Sequence, residues 1–107
     1  QSLQSYTFEG SDGKERMKQI MSKFRENKLD TLDIVSVEDY SSGINGLPPT
    51  NMLQCVMSDG TIFVLRPSGT EPKLKSYIFL VGKSFEDTKH REKEIVKLLY
   101  DEITGMK

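Results

Sequence analysis

The chain has 107 residues, of which 15 are basic and 16 are acidic, giving a net charge of −1. This length suits one small domain with one core, and the hydrophobic fraction of 36% predicts that the core is modest. The even mixture of charges lacks the sign asymmetry of proteins that bind nucleic acids or membrane surfaces. Cys55 is the single cysteine, so neither an internal disulfide nor a cysteine zinc cluster can form.

Hydropathy and targeting signals indicate a cytoplasmic setting. The chain contains no apolar run of the ~20 residues that span a bilayer. Its first residues lack the order of charged, apolar and small residues that marks a signal peptide. We therefore expect a cytoplasmic protein with neither a nucleic-acid partner nor a membrane partner.

Residues 1–10 show no sustained periodicity, and we interpret them as the remnant of an interdomain linker, partly disordered. Residues 11–107 are expected to form the domain itself. A capping box of Asp12 and Glu15 predicts a first helix over residues 13–27. Apolar residues recur along this segment at helical spacing, at Met17, Ile20, Met21 and Phe24.

Four β-strands are predicted between two helices, over residues 32–40, 52–57, 61–66 and 73–81. Asp59-Gly60 predicts a hairpin between the second and third of these strands, and residues 41–51 are too rich in glycine and proline for regular structure. Ser84 and Asp87 open a final helix, whose apolar stripe is Ile95, Val96, Leu99 and Ile103. The element order predicts an α+β fold with two helices on one face of a four-stranded antiparallel sheet.

This topology has a consequence for function, because connections between successive antiparallel strands alternate between the two ends of the sheet. Residues 41–51 and the loop at residues 67–72 should therefore lie at the same end. The glycine-rich segment is then either a flank of whatever that loop binds or a mobile connector.

Residues 66–72, Arg-Pro-Ser-Gly-Thr-Glu-Pro, have the composition of an anion-binding loop. Arg66 can bind two phosphate oxygens through its planar guanidinium, and Gly69 lets a ligand approach the backbone. Ser68 and Thr70 add hydroxyl donors. A simple type I turn is the alternative reading. Glu71 opposes phosphate binding unless its carboxylate turns away or pairs with a cation.

Residues 65–77 resemble the phosphate-binding signature in the C-terminal domain of the α-D-phosphohexomutases, the phosphoglucomutase and phosphomannomutase family. Residues 8–15 and 58–60 are similar to bacterial members, so the resemblance spans nearly the whole chain. It implies a TATA-box-binding-protein-like fold and a domain that holds the non-reacting phosphate during intramolecular phosphoryl transfer. The implied phosphate ligands are Arg66, Ser68, Gly69, Thr70 and Lys75.

The same resemblance implies that a hexose phosphate substrate and the preceding domains of the same enzyme are the partners of this domain. The full-length enzyme would use Mg²⁺ and a hexose 1,6-bisphosphate, with the phosphoserine and the metal-binding aspartates in earlier domains. No cofactor is expected on this domain, and no catalytic or metal-binding residue is predicted in it. The isolated chain is therefore expected to be an inactive fragment.

A free-standing interaction module is the alternative function. In that hypothesis, Phe63, Leu65, Tyr77 and Phe79 form an apolar sheet face that binds a small molecule or a protein. Phosphate dependence would discriminate between the two hypotheses.

Overall fold

The computed structural model describes residues 2–29, 31–43, 46, 48–80 and 84–105. Strand β1 (Ser2–Thr7) precedes helix α1 (Gly13–Arg25), and strands β2 (Ile34–Asp39) and β3 (Leu53–Met57) follow. Strands β4 (Ile62–Pro67) and β5 (Lys73–Phe79) lead to helix α2 (Phe85–Thr104). All four predicted strands and both predicted helices are present, although position 81 and positions 44, 45 and 47 of the long loop lie outside the described residues.

The sheet has five antiparallel strands in the order β1-β5-β4-β3-β2, so the prediction of four strands was one short. The missing strand is β1, in the segment that we interpreted as a disordered linker. It pairs with β5 from Ser2 opposite Ile78 to Thr7 opposite Lys73. The expected partial disorder was wrong for residues 2–7. The strand was missed because its pairing partner is distant in sequence, and because Tyr6 and Phe8 alone are too short an alternation to indicate a strand. The division into a linker remnant and a domain stays a prediction.

Both helices pack on one face of the sheet and bury a single core. The predicted helix residues Met17, Ile20, Phe24, Leu99 and Ile103 are all buried there. At the centre, the rings of Phe24 and Phe63 meet edge to face with their centroids 5.9 Å apart. Burial of each large apolar side chain contributes about 1.5–3 kcal/mol.

The strand register separates the residues of the predicted interaction face. Phe63 lies opposite Ile78 and is buried under the helices together with Leu65, whereas Tyr77 lies on the other face, opposite Val64. Because side chains alternate between faces, the four residues cannot form one apolar surface. That part of the interaction-module hypothesis was wrong; of the four residues it named, only Tyr77 and Phe79 lie on the open face of the sheet.

The N-terminal ends of the two helices are fixed by different contacts. Ser84 caps α2 as predicted, since its hydroxyl oxygen accepts a hydrogen bond from the Asp87 backbone N–H at 3.1 Å. Asp12 occupies the N-cap of α1 but makes no side-chain capping bond, so the predicted capping box does not form. Gly13 instead allows close packing, because a Cβ at this position would lie 2.1 Å from the carbonyl oxygen of Phe8.

Candidate phosphate site

Two cations face each other at the loop end of the β4–β5 hairpin. Arg66 and Lys75 are direct cross-strand partners, and strand alternation places both on the open face of the sheet. Among the residues that the structure describes, neither side chain forms an ion pair. Like charges in directly opposite positions destabilise a sheet, so this pair creates a local positive potential that an anion would neutralise.

The loop between the two strands is braced by its own hydrogen bonds. The Ser68 backbone N–H donates to the Lys73 carbonyl at 2.8 Å, and the Ser68 hydroxyl oxygen accepts from the backbone N–H of Glu71 at 3.2 Å. A longer bond of 3.4 Å joins the Thr70 N–H to the same oxygen. The segment is therefore a turn wound around a serine hydroxyl, which holds the loop in shape whether or not an anion binds.

This bracing determines which loop amides remain for a ligand. The backbone N–H groups of Ser68, Thr70 and Glu71 are used within the hairpin, whereas Gly69 donates no hydrogen bond to the described residues. A Cβ added at Gly69 would meet no atom within 4 Å, so packing does not demand a glycine there. Its amide is the loop donor most open to an approaching oxyanion.

The side chains and loop backbone enclose a cavity of about 280 Å³ on the open face of the sheet. It brings together four of the five predicted site residues and excludes the fifth, Thr70. The sequence analysis did not place the aromatic residue Tyr77 among the phosphate-site residues. Its signal was available, because Tyr77 follows Lys75 at the two-residue spacing that keeps both side chains on one face of a strand. The lining residues are Arg66, Pro67, Ser68, Gly69, Lys75 and Tyr77.

Glu71 is turned away from this cavity. Its carboxylate lies 3.5 Å from the Lys73 ammonium, and its side chain lines a second cavity of about 370 Å³ on the helix side of the loop. The sequence analysis required the Glu71 carboxylate to be paired or turned away if a phosphate is to bind. The structure meets this condition.

The long loop also reaches this end of the sheet, as the topology predicts. Asn51 lines the second cavity together with Pro67 and Ser68. The part of the loop next to β3 therefore flanks the helix side of the hairpin loop, whereas the candidate anion cavity lies on its other side.

The segment that follows β1 is hydrogen-bonded to Pro72, the second proline of the loop. The Phe8 backbone N–H donates to the Pro72 carbonyl at 2.7 Å, immediately beyond the pairing of Thr7 with Lys73. The Phe8 side chain is buried and Arg16 lies over its ring, 5.2 Å from the centroid. The loop is thus fixed to the sheet on both of its flanks.

Other reactive groups lie away from this site. Cys55 is fully buried in β3, and burial raises the pKa of its thiol to about 12, so it is a neutral core residue. Within the described ranges, no three histidine, cysteine, aspartate or glutamate side chains are grouped to hold a metal ion. No described helix combines the length and apolar character needed to cross a membrane.

Comparison with known proteins gives a consistent but partial match. No protein-family model matches the sequence. A phosphoglucomutase of Staphylococcus aureus strain COL is 38% identical over 100 aligned residues, which cover 79% of this chain and 18% of the relative. A phosphoglucomutase of Staphylococcus epidermidis is 35% identical over 98 residues, covering 78% and 18%. The chain thus spans about a fifth of the length of the relatives it matches, which is consistent with one domain of a phosphohexomutase.

Proposed function

We propose that this chain is the C-terminal, phosphate-binding domain of a phosphoglucomutase or phosphomannomutase. In this role the loop at residues 66–72 holds the phosphate of a hexose phosphate that is not reacting. The observation that carries the proposal is the unneutralised cross-strand pair of Arg66 and Lys75 beside the free Gly69 amide. The similarity to phosphoglucomutases supports the same reaction class.

Each group has a distinct part in the proposed binding. The Arg66 guanidinium supplies paired donors for two phosphate oxygens, and Lys75 supplies a compact second charge from the adjacent strand. The Gly69 N–H donates from the loop side. Ser68 acts mainly through its oxygen, which shapes the loop, while its hydroxyl hydrogen remains available to a ligand.

Anchoring one phosphate matters in a mutase because the two phosphate positions of the sugar must exchange roles. A bisphosphate that is held at its inert end keeps its reacting end oriented and does not diffuse away. The proposed nucleophile and the Mg²⁺ that neutralises the transferring phosphoryl group lie in other domains of the enzyme. The hexose 1,6-bisphosphate belongs to the same proposed full-length reaction.

The alternative of an interaction module keeps one supporting observation. Leu3 and Phe79 are 56% and 41% exposed on the open face of the sheet, beyond the anion cavity. A partner that docks on these residues would bind without regard to phosphate.

An NMR titration of the isotope-labelled chain tests the proposal. Inorganic phosphate and glucose 6-phosphate should both shift the backbone amides of Arg66, of residues 68–71 and of Lys75, most strongly Gly69, and glucose should shift none. With only a few contacts available, we expect a dissociation constant in the millimolar range, about −4 kcal/mol. Shifts centred on Leu3 and Phe79, or shifts caused equally by glucose, would contradict phosphate binding and favour the interaction module.

A further inference from the structure

We infer that the ring of Tyr77 is the surface on which the sugar of the bound hexose phosphate rests. This inference depends on the proposed function and extends it from the phosphate to the group that carries it. Tyr77 would thereby be a specificity-determining residue of the site, distinguishing a phosphorylated ring from phosphate alone.

The position of Tyr77 follows from the strand. It is two residues beyond Lys75 on β5, so both side chains stand on the open face about 6.6 to 6.8 Å apart along the strand. Its direct cross-strand neighbours are the apolar residues Val64 on β4 and Leu3 on β1. The ring is half-buried and lines the same cavity as Arg66 and Lys75. An anion held between the two cations therefore lies next to this ring.

The size of the cavity shows that phosphate alone leaves space beside this ring. The cavity has a volume of about 280 Å³ and is open to solvent on one side. A phosphate, which has five non-hydrogen atoms, leaves part of this volume unfilled. The remaining space accommodates part of the group that is esterified to the phosphate.

The chemistry of the two ends fits a cyclic sugar phosphate. The loop end presents cations and an amide, whereas the sheet end presents a neutral aromatic ring with a hydroxyl group. A pyranose has an apolar C–H face that can pack on such a ring, and hydroxyl groups at its rim that the phenol can reach by hydrogen bonding. Among the described residues that line this cavity, a second anionic group on the ligand would find no further cation at the sheet end.

Phe79 provides a matched control for Tyr77. It is the next residue on the same face of β5 and carries a similar ring, but it does not line the cavity. A nonspecific effect of losing an aromatic side chain from this face should therefore appear equally in Tyr77→Ala and Phe79→Ala.

The experiment compares the dissociation constants of glucose 6-phosphate and inorganic phosphate by NMR titration. In the unmodified chain and in Phe79→Ala, glucose 6-phosphate should bind about three- to tenfold more tightly than inorganic phosphate. In Tyr77→Ala this preference should disappear while the affinity for inorganic phosphate changes less than about twofold, and Tyr77→Phe should keep most of it. Intermolecular NOEs between the Tyr77 ring protons and the sugar protons should be visible in the unmodified chain, a measurement that needs no variant to fold.

The outcomes separate this inference from the proposal on which it rests. If both phosphates bind but show equal affinity and no NOE reaches Tyr77, the inference is overturned and the phosphate site stands. If the NOEs fall on Phe79 and none reaches Tyr77, the sugar lies outside the cavity and the inference again fails. If neither phosphate binds, the proposed function and the inference fall together.

Discussion

Arg66 and Lys75 are placed where a sheet would normally avoid two cations, directly opposite each other on adjacent strands. Their repulsion lowers the stability of the hairpin by a few tenths of a kcal/mol up to about 1 kcal/mol. Both side chains are at least partly open to solvent, so packing does not require either charge. The pair is therefore consistent with the anionic ligand that we propose.

Replacing Arg66 with alanine should separate binding from folding. We expect Arg66→Ala to weaken phosphate binding by at least about tenfold, because the bidentate charge-assisted contact is lost. The free energy of unfolding should stay within about 0.5 kcal/mol of the original or rise slightly as the repulsion disappears. Titration and urea unfolding measure the two quantities.

Lys93→Ala is the charge-matched control, since Lys93 is exposed on α2 and outside the anion cavity. It should leave phosphate affinity unchanged. Equal weakening by both variants would mean that net charge, rather than this site, attracts the anion.

Cys55 makes stability depend on pH in the alkaline range. Its pKa rises from the ordinary value of 9.0 to about 12 because it is buried. Between these values the unfolded chain loses a proton that the folded chain keeps, so stability should fall as pH rises above about 9. Burial also raises the pKa of Tyr6, which adds to the decline in stability at alkaline pH.

The Cys55→Ala variant isolates this contribution. Urea unfolding at several pH values should show a shallower alkaline decline in the variant than in the original chain. Identical slopes would mean that the thiol is ionised or exposed in the folded protein.

At the scale of elements, the junction of β1 and α1 depends on the absence of a side chain at Gly13. Gly13→Ala would place a methyl group 2.1 Å from the Phe8 carbonyl oxygen, which is fixed backbone. We expect a loss of about 1–3 kcal/mol in unfolding free energy, because β1 and the start of α1 must move apart. The same substitution at Gly69 meets no atom within 4 Å and should leave stability almost unchanged. Comparable losses in both variants would contradict the close packing at Phe8.

Local signals in the sequence predicted the elements whose partners are nearby. Asp59-Gly60 connects β3 to β4 as expected, with Gly60 at a φ of +90° and its N–H bonded to the Met57 carbonyl at 3.0 Å. The apolar stripe of α1 likewise identified its buried face, because its period is a property of the helix alone.

Features that depend on distant residues were missed. Strand β1 forms because β5 has a free edge with which it pairs. The local sequence of residues 2–7 predicts neither this pairing nor the length of β1. Asp12 and Glu15 have the spacing of a capping box, but the contact of Gly13 with Phe8 sets the entry to α1. For the candidate site, the loop composition indicated Arg66, Ser68 and Gly69, and the resemblance to phosphohexomutases added Lys75. The inclusion of Tyr77 depends on the strand register, and the exclusion of Thr70 depends on the conformation of the loop.

For the whole molecule, we expect the isolated chain to have no mutase activity. The described residues provide cations and an amide for phosphate but no grouped metal ligands, and Cys55 is a buried neutral thiol. A coupled assay with glucose 1-phosphate and glucose 1,6-bisphosphate should give no turnover above background. The expectation would be contradicted if the purified chain showed turnover and Arg66→Ala abolished it, because the reaction chemistry would then lie within these residues.

The pairing of β1 with β5 also predicts an order of folding. Strands β2 to β5 are sequential neighbours that can form through short hairpins and one longer loop, whereas more than sixty residues separate Thr7 from Lys73. Closing so long a loop costs more chain entropy than closing the short hairpins, so β1 should dock last, after its partner strand exists. The hydrogen bond from Phe8 to Pro72 forms only at that moment, and pulsed hydrogen exchange during refolding should show the Phe8 amide protected after those of β3 and β4. The candidate phosphate loop would therefore gain its contact with Phe8 only in the final step of folding, when β1 pairs with β5.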